Sequence, residues 1–438
     1  MERKSIAMGW VEQYNKKTVT ASQAAQVVQS GSRIFLTGNC SVPRTILSAL
    51  VDRAEELENV EICQALTIGP ADYVAPDMEG HLRVNTMFIS HNTRKAVQAG
   101  RSDFTPVLLS EFPKLFKDGH LPVDISMVHL SPPDEHGFCS FGVEVGLSKS
   151  PAESAKIIIA EVNEQMPRTL GDSFIHVSKL DYIVPVNYEL PELAMSDGEP
   201  DKITETIAQH IAELIPDGAT MQMGIGAIPD AVLKYLFDKK DLGVHTELFS
   251  EGVIDLVENG VLTNARKTLH TGKIVAGFIL GTKRLYSWVH DNPLLELHRT
   301  EYVNDPFVVS QNDRMVAINS AIEIDLTGQV CADSIGPKLY SGVGGQLDFI
   351  YGASRSKGGV PIIALPSMAK TFSRIVPMLK EGAGVVTTRN HVRYVVTEYG
   401  IADLYGKTIR QRAQALIGVA HPDFRDKLIH EAKALNYI

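Results

Sequence analysis

The stretch Met223-Gly-Ile-Gly-Ala-Ile-Pro-Asp-Ala-Val232 predicts a tight glycine turn that leads directly into a helix. Glycine lets the backbone approach a neighbouring group closely, and proline suits the first turn of a helix, where its missing N–H is not needed. After ten intervening positions, Gly243-Val-His-Thr-Glu-Leu-Phe-Ser-Glu-Gly-Val-Ile-Asp255 predicts a strand that ends near Glu247. A turn and helix followed by another strand are typical of an α/β fold.

An earlier part of the chain shows the same order of signals. Residues 27–31 and 38–47 correspond to residues 214–218 and 224–233, and in each copy a glycine precedes a proline by five positions. The repeat predicts an internal duplication that produces two related, open α/β domains. We place these domains at residues 1–187 and 188–438, because the segment around the boundary is rich in proline and acidic side chains.

Short apolar runs recur between helical stretches and predict buried strands. These runs cover residues 33–37, 60–63, 86–89, 125–130, 156–162 and 180–184. Continuous apolar strands of this kind indicate mainly parallel sheets. Ligands in open α/β sheets bind beyond the carboxyl ends of the strands, so we expect the active site in the cleft between the two domains.

The overall composition limits the classes of function. Of the 438 residues, 44% are hydrophobic and 21% are charged, which is typical of a globular protein. The net charge of −10 and the lack of a basic stripe argue against a nucleic-acid partner. No apolar run approaches the roughly 20 residues that cross a bilayer, and the first residues lack the apolar core of a secretory signal. We therefore expect a cytoplasmic protein with no membrane partner.

The cysteines and histidines give no sign of a metal site. Four scattered cysteines form no CxxC pair, and the fourteen histidines show no metal-like spacing beside an acid. Neither a disulfide nor a bound metal is predicted.

Three glutamates near the predicted strand end are candidates for a reactive carboxylate. Glu247 lies where the strand is expected to end, and Glu251 and Glu258 follow closely. An arbitrary glutamate is usually only solvated, which is the alternative for each of them. We interpret Glu258 as the last turn of a helix, because the apolar residues before it form a helical face and Gly260 ends it.

A second glycine-rich stretch, Tyr340-Ser-Gly-Val-Gly-Gly-Gln-Leu-Asp-Phe349, has three glycines in four positions. Such a loop exposes backbone N–H groups, including that of Gly344, which are the usual material of an oxyanion hole. The alternative for this stretch is a plain glycine-rich turn. The alternative for the Gly224–Gly226 pair is a tight strand-to-helix turn. A backbone cradle together with a nearby carboxylate suits acyl-group transfer through a glutamyl intermediate.

The segment Leu130-Ser-Pro-Pro-Asp-Glu-His-Gly-Phe138 predicts a rigid proline turn that carries polar side chains. A functional loop and a structural connection between strands remain equal interpretations of this segment.

Together these segments resemble the acetyl-CoA hydrolase/transferase family of class I coenzyme A transferases, near the branch of 4-hydroxybutyrate and butyrate–acetate coenzyme A transferases. The resemblance covers nearly the whole chain. Its ordered segments are residues 131–138, 160–163, 171–172, 175–176, 224–232, 245–248, 281–284, 318–321, 341–346, 396–402 and 420–424. Another branch of coenzyme A transferases carries a Glu-Asn-Gly signature, which Glu258 shares, but our interpretation of Glu258 as a helix end favours Glu247.

The resemblance implies roles for particular residues. Glu247 matches the catalytic glutamate, which becomes a glutamyl-CoA thioester, and Asn319 matches an oxyanion or substrate contact. The residues that match coenzyme A contacts are Gly224, Ile225, Gly226, Ala227, Ile228 and Gly345.

The implied activity is a ping-pong transfer of coenzyme A from a short-chain acyl-CoA to a carboxylate such as acetate. The acyl group would be 4-hydroxybutyryl, butyryl or acetyl. Coenzyme A would be a substrate, no tightly bound cofactor is implied, and the family suggests a homo-oligomer. The alternatives are an acyl-CoA hydrolase and a ligand-sensing protein on a related scaffold. A nicotinamide dehydrogenase is disfavoured, because the turn lacks the third glycine of a dinucleotide fingerprint.

Overall fold

The structure is a computed structural model that describes residues 2–193, 199–224 and 226–438. Ile225 of the predicted coenzyme A loop and part of the predicted domain boundary lie outside the described residues. The chain forms two compact units, one of residues 1–193 with 275–302 and one of residues 194–274 with 303–438. The domain limits 1–187 and 188–438 stay a prediction from the sequence, and the compact units differ from them by grouping residues 188–193 and 275–302 with the first unit.

The helices of the described residues, in chain order, are α1 (Glu2–Lys17), α2 (Ala21–Ala25), α3 (Arg44–Val51), α4 (Arg94–Gln98), α5 (Phe112–Lys117), α6 (Lys149–Ser154), α7 (Lys202–Leu214), α8 (Ala227–Leu233), α9 (Gly252–Glu258), α10 (Lys283–Val289), α11 (Thr300–Val303), α12 (Pro306–Ser310), α13 (Gln346–Arg355), α14 (Ile409–Gly418) and α15 (Pro422–Ala434).

The strands are β1 (Arg33–Leu36), β2 (Val60–Ala65), β3 (Leu82–Phe88), β4 (Asp103–Phe104), β5 (Ile125–Leu130), β6 (Phe138–Ser140), β7 (Ile157–Asn163), β8 (Leu170–Gly171), β9 (Phe174–His176), β10 (Tyr182–Val186), β11 (Thr220–Met223), β12 (Gly243–Phe249), β13 (Ile274–Ile279), β14 (Leu295–Leu297), β15 (Met315–Ser320), β16 (Glu323–Asp325), β17 (Val330–Cys331), β18 (Ser334–Ile335), β19 (Lys338–Leu339), β20 (Val360–Ala364), β21 (Met368–Ala369), β22 (Phe372–Ser373), β23 (Ile375–Val376), β24 (Tyr394–Thr397) and β25 (Gly400–Asp403).

The first unit is built on a sheet of parallel strands in the order β10-β7-β5-β1-β2-β3-β4. Alternate residues of β1 face opposite sides, so Ile34 and Leu36 belong to one apolar cluster and Phe35 to another. Both faces are therefore covered, which explains why the strands read as continuous apolar runs.

In the second unit, six strands follow the order β25-β24-β20-β15-β11-β12. These strands are parallel apart from the antiparallel pair β24–β25. Strand β11 lies between β12 and β15, with Met221 opposite Val244 and Met223 opposite Ile318. The predicted α/β fold with mainly parallel sheets is confirmed.

The two units share the arrangement that the sequence repeat predicted. Strand β1 lies between β2 and β5, as β11 lies between β12 and β15, and each central strand is followed by a glycine turn and a helix. The prolines differ in detail, because Pro43 is the N-cap of α3, whereas Pro229 is the third residue of α8. At both positions the missing N–H of proline costs no hydrogen bond, because the backbone N–H groups at the start of a helix have no partner within the helix.

The proline segment after β5 forms a tight turn that leads into β6. Oδ1 of Asp134 accepts hydrogen bonds from the backbone N–H groups of His136 (2.9 Å) and Phe138 (3.0 Å), and Oδ2 accepts one from Arg168 (3.1 Å). An aspartate that binds N–H groups further along the chain stabilises a tight turn. The four cysteines are free and buried, and within the described residues no helix is both long and apolar enough to cross a bilayer.

Candidate active site

Glu247 lies near the carboxyl end of β12, where the parallel strands of the second unit stop. Its side chain is partly exposed, whereas the adjacent Thr246 and Leu248 are buried. The strand ends at Phe249 and α9 begins at Gly252, so the connection after Glu247 is short. The carboxyl ends of such strands are the usual ligand-binding edge of an open α/β sheet.

Asn304 holds the carboxylate of Glu247 in one orientation. Its Nδ2 donates a hydrogen bond of 2.7 Å to Oε2 of Glu247, and Asn304 is fully buried. Within the described residues Oε1 of Glu247 accepts no hydrogen bond. One oxygen is therefore anchored and the other is available to a ligand.

Gly345 lies directly against the same carboxylate. A Cβ placed on Gly345 would overlap both Oε2 of Glu247 and Nδ2 of Asn304. Gly345 is the N-cap of α13, and Gly344 before it has a φ of 63°, a left-handed conformation that glycine adopts without strain. The start of a helix carries a partial positive charge, so α13 presents a favourable field to negative charge on or near Glu247.

The environment of Glu247 shifts its acidity. Burial raises the pKa of Glu247 to about 7, and the hydrogen bond from Asn304 acts in the opposite direction. Desolvation disfavours a charged carboxylate, while a donor to that carboxylate favours it. Near neutral pH Glu247 is therefore present both as the acid and as the carboxylate, and the carboxylate is less stabilised by solvent than that of an ordinary glutamate.

The glycine turn after β11 has the backbone geometry that the sequence predicted. Gly226 has a φ of 130° and is the N-cap of α8, and among the described residues beyond its chain neighbours no atom lies within 4 Å of the position of a Cβ there. Ala227 and Ile228 are the first residues of α8, with Ala227 exposed and Ile228 buried. The open space and the conformation allow a ligand to approach the backbone at Gly226.

Hydrogen bonds join the glycine turn to the strand of Glu247. The N–H of Met223, the last residue of β11, donates to Oγ1 of Thr246 at 3.3 Å, and the Thr246 hydroxyl donates to the carbonyl of Met223 at the same distance. Thr246 precedes Glu247 and Met223 precedes Gly224. The structure thus connects two of the predicted site segments through neighbouring residues.

Asn319 lies beside the glycine turn. A Cβ on Gly224 would lie 3.7 Å from Oδ1 of Asn319, and the N–H of Gly224 donates to the carbonyl of Ile318 at 3.0 Å. Nδ2 of Asn319 donates to Gln222 at 3.0 Å, so one of its two amide hydrogens is already used. Its role as an oxyanion or substrate contact stays a prediction.

Asp230, in the first turn of α8, is a further polar group of the glycine-turn segment. Its Oδ2 is buried and has no hydrogen-bond partner among the described residues, and burial raises its pKa to about 6. No motif in the sequence singles out this carboxyl group.

The rival glutamates occupy different positions. Glu258 is the exposed last residue of α9, followed by Asn259 as the C-cap and by Gly260 with a φ of 72°. This is the helix end that the sequence predicted. Glu251 is the N-cap of the same helix.

The sequence did not reveal Asn304. It is separated from Glu247 by 57 positions and lies in Val303-Asn-Asp-Pro306, which has no periodicity or recognisable motif. A polar residue that is fully buried would have been a signal, but burial is known only from the structure.

Comparisons with known proteins show which family the chain belongs to. Residues 2–191 match the acetyl-CoA hydrolase/transferase N-terminal domain, and residues 281–432 match the C-terminal domain of the same family. The chain is 50% identical over 431 residues to the 4-hydroxybutyrate coenzyme A transferase of Clostridium kluyveri, covering 97% of this chain and 99% of that protein. It is 38% identical over 437 residues to the butyryl-CoA:acetate CoA-transferase of Anaerostipes caccae, covering 97% and 98%.

A solved structure supports the same relationship. The crystal structure of 4-hydroxybutyrate CoA-transferase from Porphyromonas gingivalis superposes with a TM-score of 0.84 at 40% identity, covering 97% of this chain and 100% of that one. The resemblance inferred from the sequence is confirmed. The chain belongs to the acetyl-CoA hydrolase/transferase family.

Proposed function

We propose that this enzyme is a coenzyme A transferase that moves coenzyme A between a short-chain acyl-CoA and a carboxylate such as acetate. The acyl groups are 4-hydroxybutyryl, butyryl or acetyl, and the reaction passes through a thioester between coenzyme A and Glu247. The family and the names of its relatives support the reaction class. The names of the relatives are also the basis for the acyl groups.

The observation that carries the proposal is the arrangement of Glu247 between Asn304 and Gly345. A partly buried carboxylate has one oxygen anchored by an amide and lies against the first residues of a helix. Weak solvation keeps the carboxylate reactive, and fixed donors around it are already oriented for the charge that develops during acyl transfer.

The first half-reaction forms the covalent intermediate. An oxygen of Glu247 attacks the acyl carbonyl carbon, the carbon–sulfur bond breaks, and coenzyme A leaves as a thiolate. The thiolate sulfur then attacks the glutamyl carbonyl of the mixed anhydride, and the first acid leaves as a carboxylate. Each difficult exchange is divided into easier steps, which is the purpose of covalent catalysis.

The second half-reaction runs these steps in reverse with the acceptor acid. Its carboxylate attacks the glutamyl thioester and releases the thiolate, which attacks the acceptor's acyl carbonyl and frees Glu247. The overall exchange needs no external energy source, because one thioester replaces another. The backbone N–H groups of Gly344, Gly345 and Gly226 are suited to bind the oxyanions; losing one such donor typically costs about 100- to 1,000-fold in rate.

Intact-protein mass spectrometry tests the intermediate. The enzyme is mixed with butyryl-CoA without an acceptor and then mapped by peptides. We expect a coenzyme A adduct on the peptide that contains Glu247, which disappears when acetate is added. E247Q provides the matched control and carries no adduct, whereas E258Q still forms it.

The same experiment separates the transferase from the alternative hydrolase. Rapid release of free coenzyme A without an adduct and without a need for acetate would favour hydrolysis. An adduct on a peptide other than that of Glu247 would refute the assignment of the nucleophile while leaving the reaction class intact.

A further inference from the structure

His245 lies two residues before Glu247 on β12, so the two side chains project from the same face of the strand. The His245 side chain is fully buried, and its Nε2 lies 2.8 Å from the carbonyl oxygen of Val303. A carbonyl can only accept, so Nε2 carries the proton in this contact. His245 therefore donates to the residue that immediately precedes Asn304.

A second contact of His245 leads to the glycine loop. Its ring packs edge-on against Phe349 of α13, with the ring centroids 6.5 Å apart. The N–H of Phe349 donates to the carbonyl of Gly345 at 3.0 Å, in the first turn of this helix. The buried His245 side chain thus contacts Val303, which precedes Asn304, and Phe349 of α13, the helix that Gly345 caps. Asn304 and Gly345 both lie against the Glu247 carboxylate.

We infer that His245 is a positioning residue that holds Asn304 and Gly345 against the carboxylate of Glu247. The inference rests on the proposed catalytic role of Glu247. His245 acts through the backbone carbonyl of Val303. When this buried carbonyl loses the His245 donor, the segment shifts so that the carbonyl can bind another donor. A shift of Asn304 by about 1 Å removes the short bond to Oε2, and displacements of that size can cost about 100-fold in rate.

Two polar substitutions of different length test this role. The terminal amide of glutamine reaches about as far as Nε2 of histidine, whereas that of asparagine falls short. We expect H245N to lower kcat about 100-fold with KM for acyl-CoA changed by less than about threefold. We expect H245Q to retain kcat within about fivefold of the wild type, because it keeps the donor to Val303.

The pH profile supplies a measurement that a merely structural role would not change. Loss of the Asn304 hydrogen bond removes a contact that favours the charged carboxylate. The acid limb of kcat/KM in H245N should therefore move to higher pH, in the same direction as in N304A. The loss in the double variant H245N/N304A should be smaller than the two single losses combined, since both changes remove the Asn304 interaction.

His391 provides a matched control. Its ring also packs against α13, at 4.9 Å from the ring of Tyr351, and its Nδ1 lies 2.7 Å from the hydroxyl of Thr388. H391N should leave kcat and the acid limb unchanged. Circular dichroism and thermal melting establish that each variant is folded.

Several results would overturn the inference. A folded H245N with wild-type kcat and an unmoved acid limb would do so, as would additive losses in the double variant. If H245N does not fold, H245Q decides: a folded H245Q as slow as N304A contradicts the role of the Val303 bond. E247A is assayed in parallel, and its activity would refute the proposed nucleophile separately.

Discussion

Nδ2 of Asn304 donates a 2.7 Å hydrogen bond to Oε2 of Glu247, and a Cβ on Gly345 would overlap both atoms. Three segments that are distant in the sequence therefore meet at one carboxylate. The contact orients the nucleophile and also favours its ionised form, since an amide donor stabilises a carboxylate over the neutral acid.

The first prediction concerns the identity of the nucleophile. E247A should abolish coenzyme A transfer while the protein stays folded, because Glu247 is the carboxylate that Asn304 orients. E258A removes an exposed carboxylate at the end of α9 and should retain activity. Steady-state transfer between butyryl-CoA and acetate measures both. Equal loss in the two variants would contradict the assignment.

Removing the Asn304 amide should affect rate and pH dependence together. N304A loses a hydrogen bond to a charged group, worth about 1.5–3 kcal/mol, so we expect kcat to fall about 10- to 100-fold. Burial raises the pKa of Glu247 to about 7 and the Asn304 bond opposes that effect, so the pKa rises further in N304A. The acid limb of kcat/KM should move to higher pH. N259A, which changes an exposed residue at the C-cap of α9, is the control. An acid limb of kcat/KM that is identical in N304A and the wild type would refute this account.

A methyl group at Gly345 should block the site. In G345A the new Cβ would overlap the Glu247 carboxylate and the Asn304 amide, so either the carboxylate or the helix start must move. We expect transfer to fall about 100-fold or more, in line with misplacement of reacting groups. G418A is the matched control, because in the part of the chain that the structure describes no atom outside its neighbours and its own helix backbone lies within 4 Å of the Cβ position there. Near-normal transfer by G345A would show that the glycine loop does not need this close approach.

The raised pKa of Glu247 also predicts a pH-dependent effect on stability. Its pKa is about 7 in the folded protein against an ordinary value of 4.5, so the folded state prefers the protonated form. The stability that this preference contributes is present below pH 4.5 and is lost as pH rises through about 7. E247Q stays neutral and can still accept from Asn304.

We therefore expect E247Q to melt at a higher temperature than the wild type at pH 8, with the difference vanishing near pH 4.5. Differential scanning calorimetry measures both pH values. E258Q, which changes an exposed side chain, should show no such trend. A difference between E247Q and wild type that is the same at both pH values would contradict the raised pKa.

Local features of the chain were readable before the structure. The strand over β12, the glycine conformation at Gly226 and the helix end at Glu258 follow from short-range signals, since side-chain alternation and permissive backbone angles act within a few residues. The mainly parallel sheets followed from the apolar runs. The grouping of residues 275–302 with the first unit could not be read in this way, because it depends on which surfaces the strands bury.

The sequence by itself determined the α/β class, the repeated strand–turn–helix arrangement, the family and the choice of Glu247 as the candidate nucleophile. Only the tertiary structure decided what surrounds that carboxylate: the Asn304 bond, the approach of Gly345, and the contact of His245 with Val303. These contacts join residues that are far apart along the chain and carry no local pattern. Burial and hydrogen-bond partners arise from packing, so the acidity and orientation of Glu247 become visible only when the chain is folded.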